Sequence, residues 1–281
     1  ATNIMRFKRY LDAHFVDKPE DAFVLVGVDG KNRFGGSYWH NSPITGKWED
    51  FAYDEVRSYV TESYRVLRAR SATGIVGYSM GGHAALNLGL SHPESFAAVY
   101  AVGPGLMPRE KRERFVSRSS HPKVTASLAA LAYEPFIRDG SFDKEALLDP
   151  EIDEELLDRL DSRVGMQWAE PLIDSYAEWV ANHGTARELE IRLEYGRHEM
   201  EWIAEATRDF SGELTEHDID HELVQFPGGH ALPNVRFEQV VIPFFADALT
   251  APKDGELVAK KTLPYRARPS RHASGHVRWR R

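Results

Sequence analysis

Thr73-Gly74-Ile75-Val76-Gly77-Tyr78-Ser79-Met80-Gly81-Gly82-His83-Ala84-Ala85-Leu86 is the stretch on which the architecture of this chain turns. Its first half is apolar and suits a buried strand. Its second half is built of small residues that suit a helix. Between them lies Gly77-Tyr78-Ser79-Met80-Gly81, a G-x-S-x-G sequence. That pattern is common by chance, but between a strand and a helix it marks a nucleophile elbow. The elbow forces strained backbone angles on the serine, and flanking glycines leave room for the turn. Gly82, Ala84 and Ala85 keep the helix slim enough to lie close to a sheet. The helix start points free N–H groups and its positive dipole end at the site. The Met80 N–H is the natural oxyanion donor. The competing reading, a glycine-rich turn with an inert serine, is disfavoured by the strand-to-helix context.

Outward from this stretch, short apolar runs alternate with longer amphipathic ones. Asn3 to Phe15 reads as a helix with Ile4, Phe7, Tyr10 and Leu11 on one face. Ala22 to Val28 (AFVLVGV) reads as a strand buried on both faces, and Asp50 to Arg70 as a helix. Phe96 to Val102 is the next strand. Strands resume at Leu189 to Tyr195 and His221 to Phe226, each followed by a helix, Met200 to Leu214 and Val235 to Leu249. This alternation predicts an α/β fold around a parallel sheet. Residues 103–188 are charged and helical in period, and read as an insertion over the site within a domain spanning 1–250. Residues 251–281 hold nine Lys/Arg against two acids and three prolines. They read as a disordered basic tail rather than an arm for an anionic partner.

A serine hydroxyl is a weak nucleophile until a base takes its proton. In this kind of site the order along the chain is Ser, acid, His. Of the 12 histidines, His230 stands in a Gly-Gly-His turn just past the last predicted strand, at the sheet edge where Ser79 also lies. His83 sits on the helix after the elbow and is expected to point away. The acid should follow the strand at Leu189 to Tyr195. Glu199 and Glu201 are the candidates, with Asp209 more distant. Glu199 is preferred because a short loop after Gly196 lets its carboxylate turn back. Its task would be to hold the imidazole tautomer and stabilise the imidazolium.

The bulk properties exclude several classes. A length of 281 residues with 42% hydrophobic residues supports a large core without disulfides or metals. The absence of cysteine removes cysteine nucleophiles. A net charge of -8 argues against nucleic-acid binding. No apolar run approaches the ~20 residues that span a bilayer, and no signal peptide is visible. Compartment and oligomeric state are not indicated.

The residues resemble the putative-esterase (esterase D-like) branch of the α/β-hydrolases, which includes feruloyl esterases, S-formylglutathione hydrolases and mycolyltransferases. The likeness runs over about residues 3 to 249. It is carried by Val26 to Gly30, by Gly36-Ser37-Tyr38-Trp39 through Trp48-Glu49-Asp50-Phe51, by Gly77 to Ala85 with His92-Pro93, and by Phe226-Pro227-Gly228-Gly229-His230. The resemblance implies an α/β-hydrolase fold and cleavage of small-molecule carboxylic esters through an acyl-enzyme, with no cofactor or metal. It places the nucleophile at Ser79, the base at His230 and, through Gly196-Arg197-His198-Glu199, the acid at Glu199. An acyltransferase on the same three residues is the alternative within the fold. Members of the family begin with further strands and a His-Gly loop that donates a second oxyanion N–H. Here residue 1 falls past that loop, so the sheet is expected to lack N-terminal strands, and a non-catalytic protein on the same fold is the third reading. Without the strand that normally lies between them, Ala22 to Val28 and Thr73 to Tyr78 are expected either to pair directly or to flank a gap. Trp39, Phe136 and Trp168 are candidate pocket residues, with Met166 and Trp179. Phe136, Met166, Trp168 and Trp179 serve equally well as core of the insertion.

Overall fold

The apolar run Ala98-Val99-Tyr100-Ala101-Val102 forms a strand buried along its whole length. In the computed structural model, which describes residues 2–107, 127–128, 130–132, 137–138, 141–142, 153–184 and 188–250, this strand is β4. It lies inside a four-stranded parallel sheet of order β3-β4-β7-β8, with β3 at Gly74–Tyr78, β7 at Glu190–His198 and β8 at Glu222–Gly229. A strand with side chains on both faces under cover must be apolar at every position. Val99 and Ala101 point into one core, and Ala98, Tyr100 and Val102 into another.

The first core is closed by three helices: α4 (Met80–Ser91), α6 (Met166–His183) and α7 (Glu201–Glu216). α4 is buried from Gly82 to Leu90, where His83 and Asn87 are its polar side chains and the rest are Gly, Ala and Leu, as suits a helix covered all round. It lies so close to the sheet that a Cβ on Gly89 would collide with Val99. The second core is closed by α1 (Thr2–Asp17), which contributes Phe7, and by the C-terminal helical run. That run begins at α8 (Asn234–Arg236), passes through a π-turn at Phe237–Val241 and ends in α9 (Ile242–Ala248). Between β4 and β7 the described chain includes α5 (Glu154–Val164), which is capped by the Asp153 side chain accepting from the Leu156 N–H at 2.8 Å. Leu156, Leu157, Leu160 and Val164 of α5 form a separate small core with Phe34, Tyr38, Met107, Leu128 and Leu131. Residues 251–281 lie outside the described residues.

The remaining elements are short: the hairpin β1 (Asn41–Ser42) and β2 (Gly46–Lys47), the helical run from α2 (Trp48–Asp50) through a π-helical stretch to α3 (Arg57–Ser63), and the two-residue strands β5 (Ile137–Arg138) and β6 (Ser141–Phe142).

Two expectations fail. The helix read over Asp50 to Arg70 ends at Ser63, where the backbone turns extended at Tyr64, and residues 64–69 lie outside helix. Ala22 to Val28 forms no strand and pairs with none among the described residues, where β3 is an outer strand of the sheet. Of the two arrangements expected there, direct pairing with β3 does not occur. The segment is also not buried on both faces. Phe23 and Leu25 pack on the second core, whereas Val24 and Val26 are 54% and 42% exposed. An apolar run shows that a segment has a face to bury. A strand additionally needs a hydrogen-bonding neighbour, and that is a non-local property.

Candidate active site

Ser79, Glu199 and His230 leave the carboxyl edge of the sheet, where α/β sheets bind ligands. Ser79 follows β3 directly, Glu199 follows β7, and His230 follows β8. Ser79 has φ 56° and ψ −122°, in a region that costs a side-chain-bearing residue about 1–2 kcal/mol. Hydrogen bonds on both sides hold it there. Its N–H donates to the Val102 carbonyl at 2.9 Å, and its carbonyl accepts from Gly105 N–H at 2.9 Å and His83 N–H at 3.1 Å. The next residue, Met80, opens α4, so its N–H stands outside the helix's internal ladder.

The His230 Nε2 lies 2.9 Å from the Ser79 Oγ. On the other side of the ring, Nδ1 lies 2.8 Å from Glu199 Oε1, at ion-pair distance but without the alignment of a hydrogen bond. Such contacts often align only when substrate is bound. The Glu199 side chain is 2% exposed, and its Oε1 also accepts from the Met200 N–H at 2.8 Å. The floor beneath the acid and the imidazole is Gly103, at the end of β4. It has φ 45°, and a Cβ there would stand 2.8 Å from Glu199 Oε2 and 3.3 Å from His230 Nδ1.

The other acids weighed for this role are elsewhere. Glu201 opens α7 with its side chain 79% exposed and 3.6 Å from Arg208. Asp209 is an exposed residue of the same helix. His83 does point away from Ser79. It is fully buried, its Nε2 is 2.9 Å from His40 Nε2, and the Trp168 ring lies 4.3 Å away. Burial, and secondarily the Arg163 charge, lowers the pKa of His40 to about 4. Burial followed by the His40 charge lowers that of His83. Trp168 is therefore packed on this histidine pair, and Met166 and Trp179 pack on the same core. Trp39, at φ 53°, lays its indole against Gly30. Phe136 lies outside the described residues. Among the described residues no cluster of side chains is suited to hold a metal, and no helix is long and apolar enough to cross a membrane.

Sequence reasoning missed three residues at the site. Gly103 carried a signal, since Gly103-Pro104-Gly105 follows a predicted strand directly. Tyr78 carried none, because the second position of G-x-S-x-G is unrestricted. Its hydroxyl nonetheless donates to the His230 carbonyl at 2.7 Å. Arg6, on α1, donates from Nη2 to the Leu232 carbonyl at 2.9 Å.

A family model described as "Putative esterase" matches residues 4–240 of the chain. No curated protein matches it. Among solved structures, a ferulic acid esterase is 18% identical with a TM-score of 0.52, covering 87% of this chain and 78% of that one. FphF of Staphylococcus aureus, titled a fluorophosphonate-binding serine hydrolase, is 16% identical with a TM-score of 0.52, covering 88% of this chain and 78% of its own. At such identities these structures speak to the fold.

Proposed function

We propose, for a chain that belongs to the "Putative esterase" family and is a carboxylic ester hydrolase, that Ser79, His230 and Glu199 form its catalytic triad and act through an acyl-enzyme. His230 Nε2 takes the Ser79 Oγ proton as the oxygen attacks the ester carbonyl. The carbonyl oxygen gains negative charge next to the Met80 N–H and the positive end of the α4 dipole. The tetrahedral intermediate collapses, the C–O bond to the leaving alcohol breaks, and His230 delivers the proton to that alcohol. Water then repeats the sequence on the acyl-enzyme, releasing the acid and restoring Ser79. Glu199 holds the imidazole in one tautomer and stabilises the imidazolium.

The observation that carries this reading is the 2.9 Å approach of His230 Nε2 to a serine held at φ 56° on a strand-to-helix turn. Neither a solvated loop histidine nor an inert turn serine accounts for both features. The test is covalent labelling by a fluorophosphonate, together with hydrolysis of p-nitrophenyl acetate. Wild type should label at Ser79, and Ser79→Ala should neither label nor turn over while keeping the melting temperature of a folded protein. Hydrolysis by Ser79→Ala at the wild-type rate would refute the assignment.

A further inference from the structure

We infer that Tyr78 is a positioning residue for His230, locking the base to the strand that carries the nucleophile. The inference rests on the triad reading above. His230 follows β8 directly and starts a segment, residues 230–233, that lies outside helix and strand. A general base on such a segment needs an external reference to stay at hydrogen-bonding distance from the serine. A fixed backbone at His230 sets where its side chain starts, and Tyr78 supplies that. Its hydroxyl donates to the main-chain carbonyl of His230 at 2.7 Å, and its ring lies 4.8 Å from the imidazole at 42°. Tyr78 is the residue immediately before Ser79, at the end of β3. Nucleophile and base are therefore tied to one strand end, so a shift of β3 carries both together.

The hydroxyl is held in the state this role requires. Burial, reinforced by the negative charge of Glu199 and opposed by the charge of Arg6, raises the Tyr78 pKa to about 12. It thus remains a donor throughout the range in which an imidazole base works. The rest of the segment and the helical run after it have their own anchors. Arg6 holds the Leu232 carbonyl at 2.9 Å, Phe7 stacks on Phe237 at 3.9 Å, and Arg236 pairs with the fully buried Glu194 of β7. These keep the segment in place without touching His230, and the Tyr78 hydroxyl grips His230 itself.

The experiment is a double-mutant cycle between Tyr78→Phe and His230→Ala, read as kcat and KM for p-nitrophenyl acetate, with melting temperatures for all four proteins. Tyr78→Phe removes a single oxygen. It should lower kcat about five- to tenfold, the size of one lost hydrogen bond acting on the reacting geometry, and leave KM within about twofold. In the His230→Ala background, the same change should leave the residual rate unaltered, because a residue that acts through the base has nothing left to position. Wild-type kcat in Tyr78→Phe alongside an inactive His230→Ala would overturn the inference and leave the triad standing. An equal loss in both backgrounds would also overturn it, showing that Tyr78 serves the fold alone. A fully active His230→Ala would overturn the triad reading, and the role of Tyr78 with it.

Discussion

Replacing Gly103 by alanine is the sharpest perturbation of the site that leaves Ser79, Glu199 and His230 in the chain. The added methyl meets two obstacles. At φ 45° the backbone is in the left-handed region, which costs alanine about 1–2 kcal/mol relative to glycine. The Cβ would also stand 2.8 Å from Glu199 Oε2, whereas ordinary contact begins at 3.4 Å. The carboxylate must therefore give way by about half an ångström. It has little room, since its side chain is 2% exposed and its other oxygen is held by the Met200 N–H. The methyl presses on His230 Nδ1 as well, at 3.3 Å. Shifts of ~1 Å in a catalytic constellation can cost about 10²-fold. We expect kcat for p-nitrophenyl acetate to fall by about 30- to 100-fold, with KM within about twofold. The melting temperature should fall by roughly 3–8 °C, from the strain plus the displaced contacts. The assay is steady-state hydrolysis normalised to the folded fraction. A folded Gly103→Ala with kcat within about twofold of wild type would refute the claim that this backbone surface sets the acid–base geometry.

Glu199→Gln should lower kcat by at least about 10²-fold, whereas Glu201→Gln should leave it within about twofold. The reverse ranking in the same assay would move the acid to α7. Gly212 lies within α7, is exposed, and has nothing within 4 Å of the place a Cβ would occupy, so Gly212→Ala should stabilise the protein by about 0.5–1 kcal/mol in urea denaturation. A loss of stability there would show that α7 packs differently. The pKa of His40 is lowered in the folded protein to about 4, so the unfolded chain takes up its proton first as pH falls. The contribution is fully present above pH ~6.5 and is lost towards pH 4, amounting to about 3 kcal/mol. Melting temperatures between pH 7 and 5 should fall less steeply in His40→Gln than in wild type. Equal slopes would mean that the buried pair does not drive this acid sensitivity.

The parts of the fold legible in the sequence are those set by local chemistry. The run from Thr73 to Leu86 had to be strand, turn and helix, because small residues, two-sided apolarity and a glycine-framed serine agree on that reading. Glu199 was legible because the acid had to follow the strand at Leu189 to Tyr195 closely. The short loop expected after Gly196 is instead a bulge within β7, which runs on to His198 and leaves the carboxylate beside His230. What could not be read depends on partners distant in sequence. Ala22 to Val28 has the composition of a buried strand, but composition cannot supply a neighbour, and half of its apolar side chains face solvent. Trp168 has the character of a pocket wall, yet its ring is spent on the His40–His83 pair, a contact across more than eighty residues. Tyr78 was hidden for another reason. The motif leaves its position free, and the carbonyl it grips lies 152 residues away.

Among the described residues β3 has no neighbour on its outer flank, and this sets the timescale on which its amides exchange with solvent. In a parallel pair, successive N–H groups of a strand point alternately to its two sides. Since the Ser79 N–H is directed to Val102 of β4, those of Gly77 and Ile75 face β4 as well, and those of Val76 and Tyr78 face the other way. On that side they meet no backbone acceptor among the described residues. One strand should therefore carry two populations of deuterium uptake. Ile75, Gly77 and Ser79 should exchange slowly with the opening of the β3–β4 ladder, and Val76 and Tyr78 within the burst of the measurement. The rapid sites alternate residue by residue up to the one preceding Ser79.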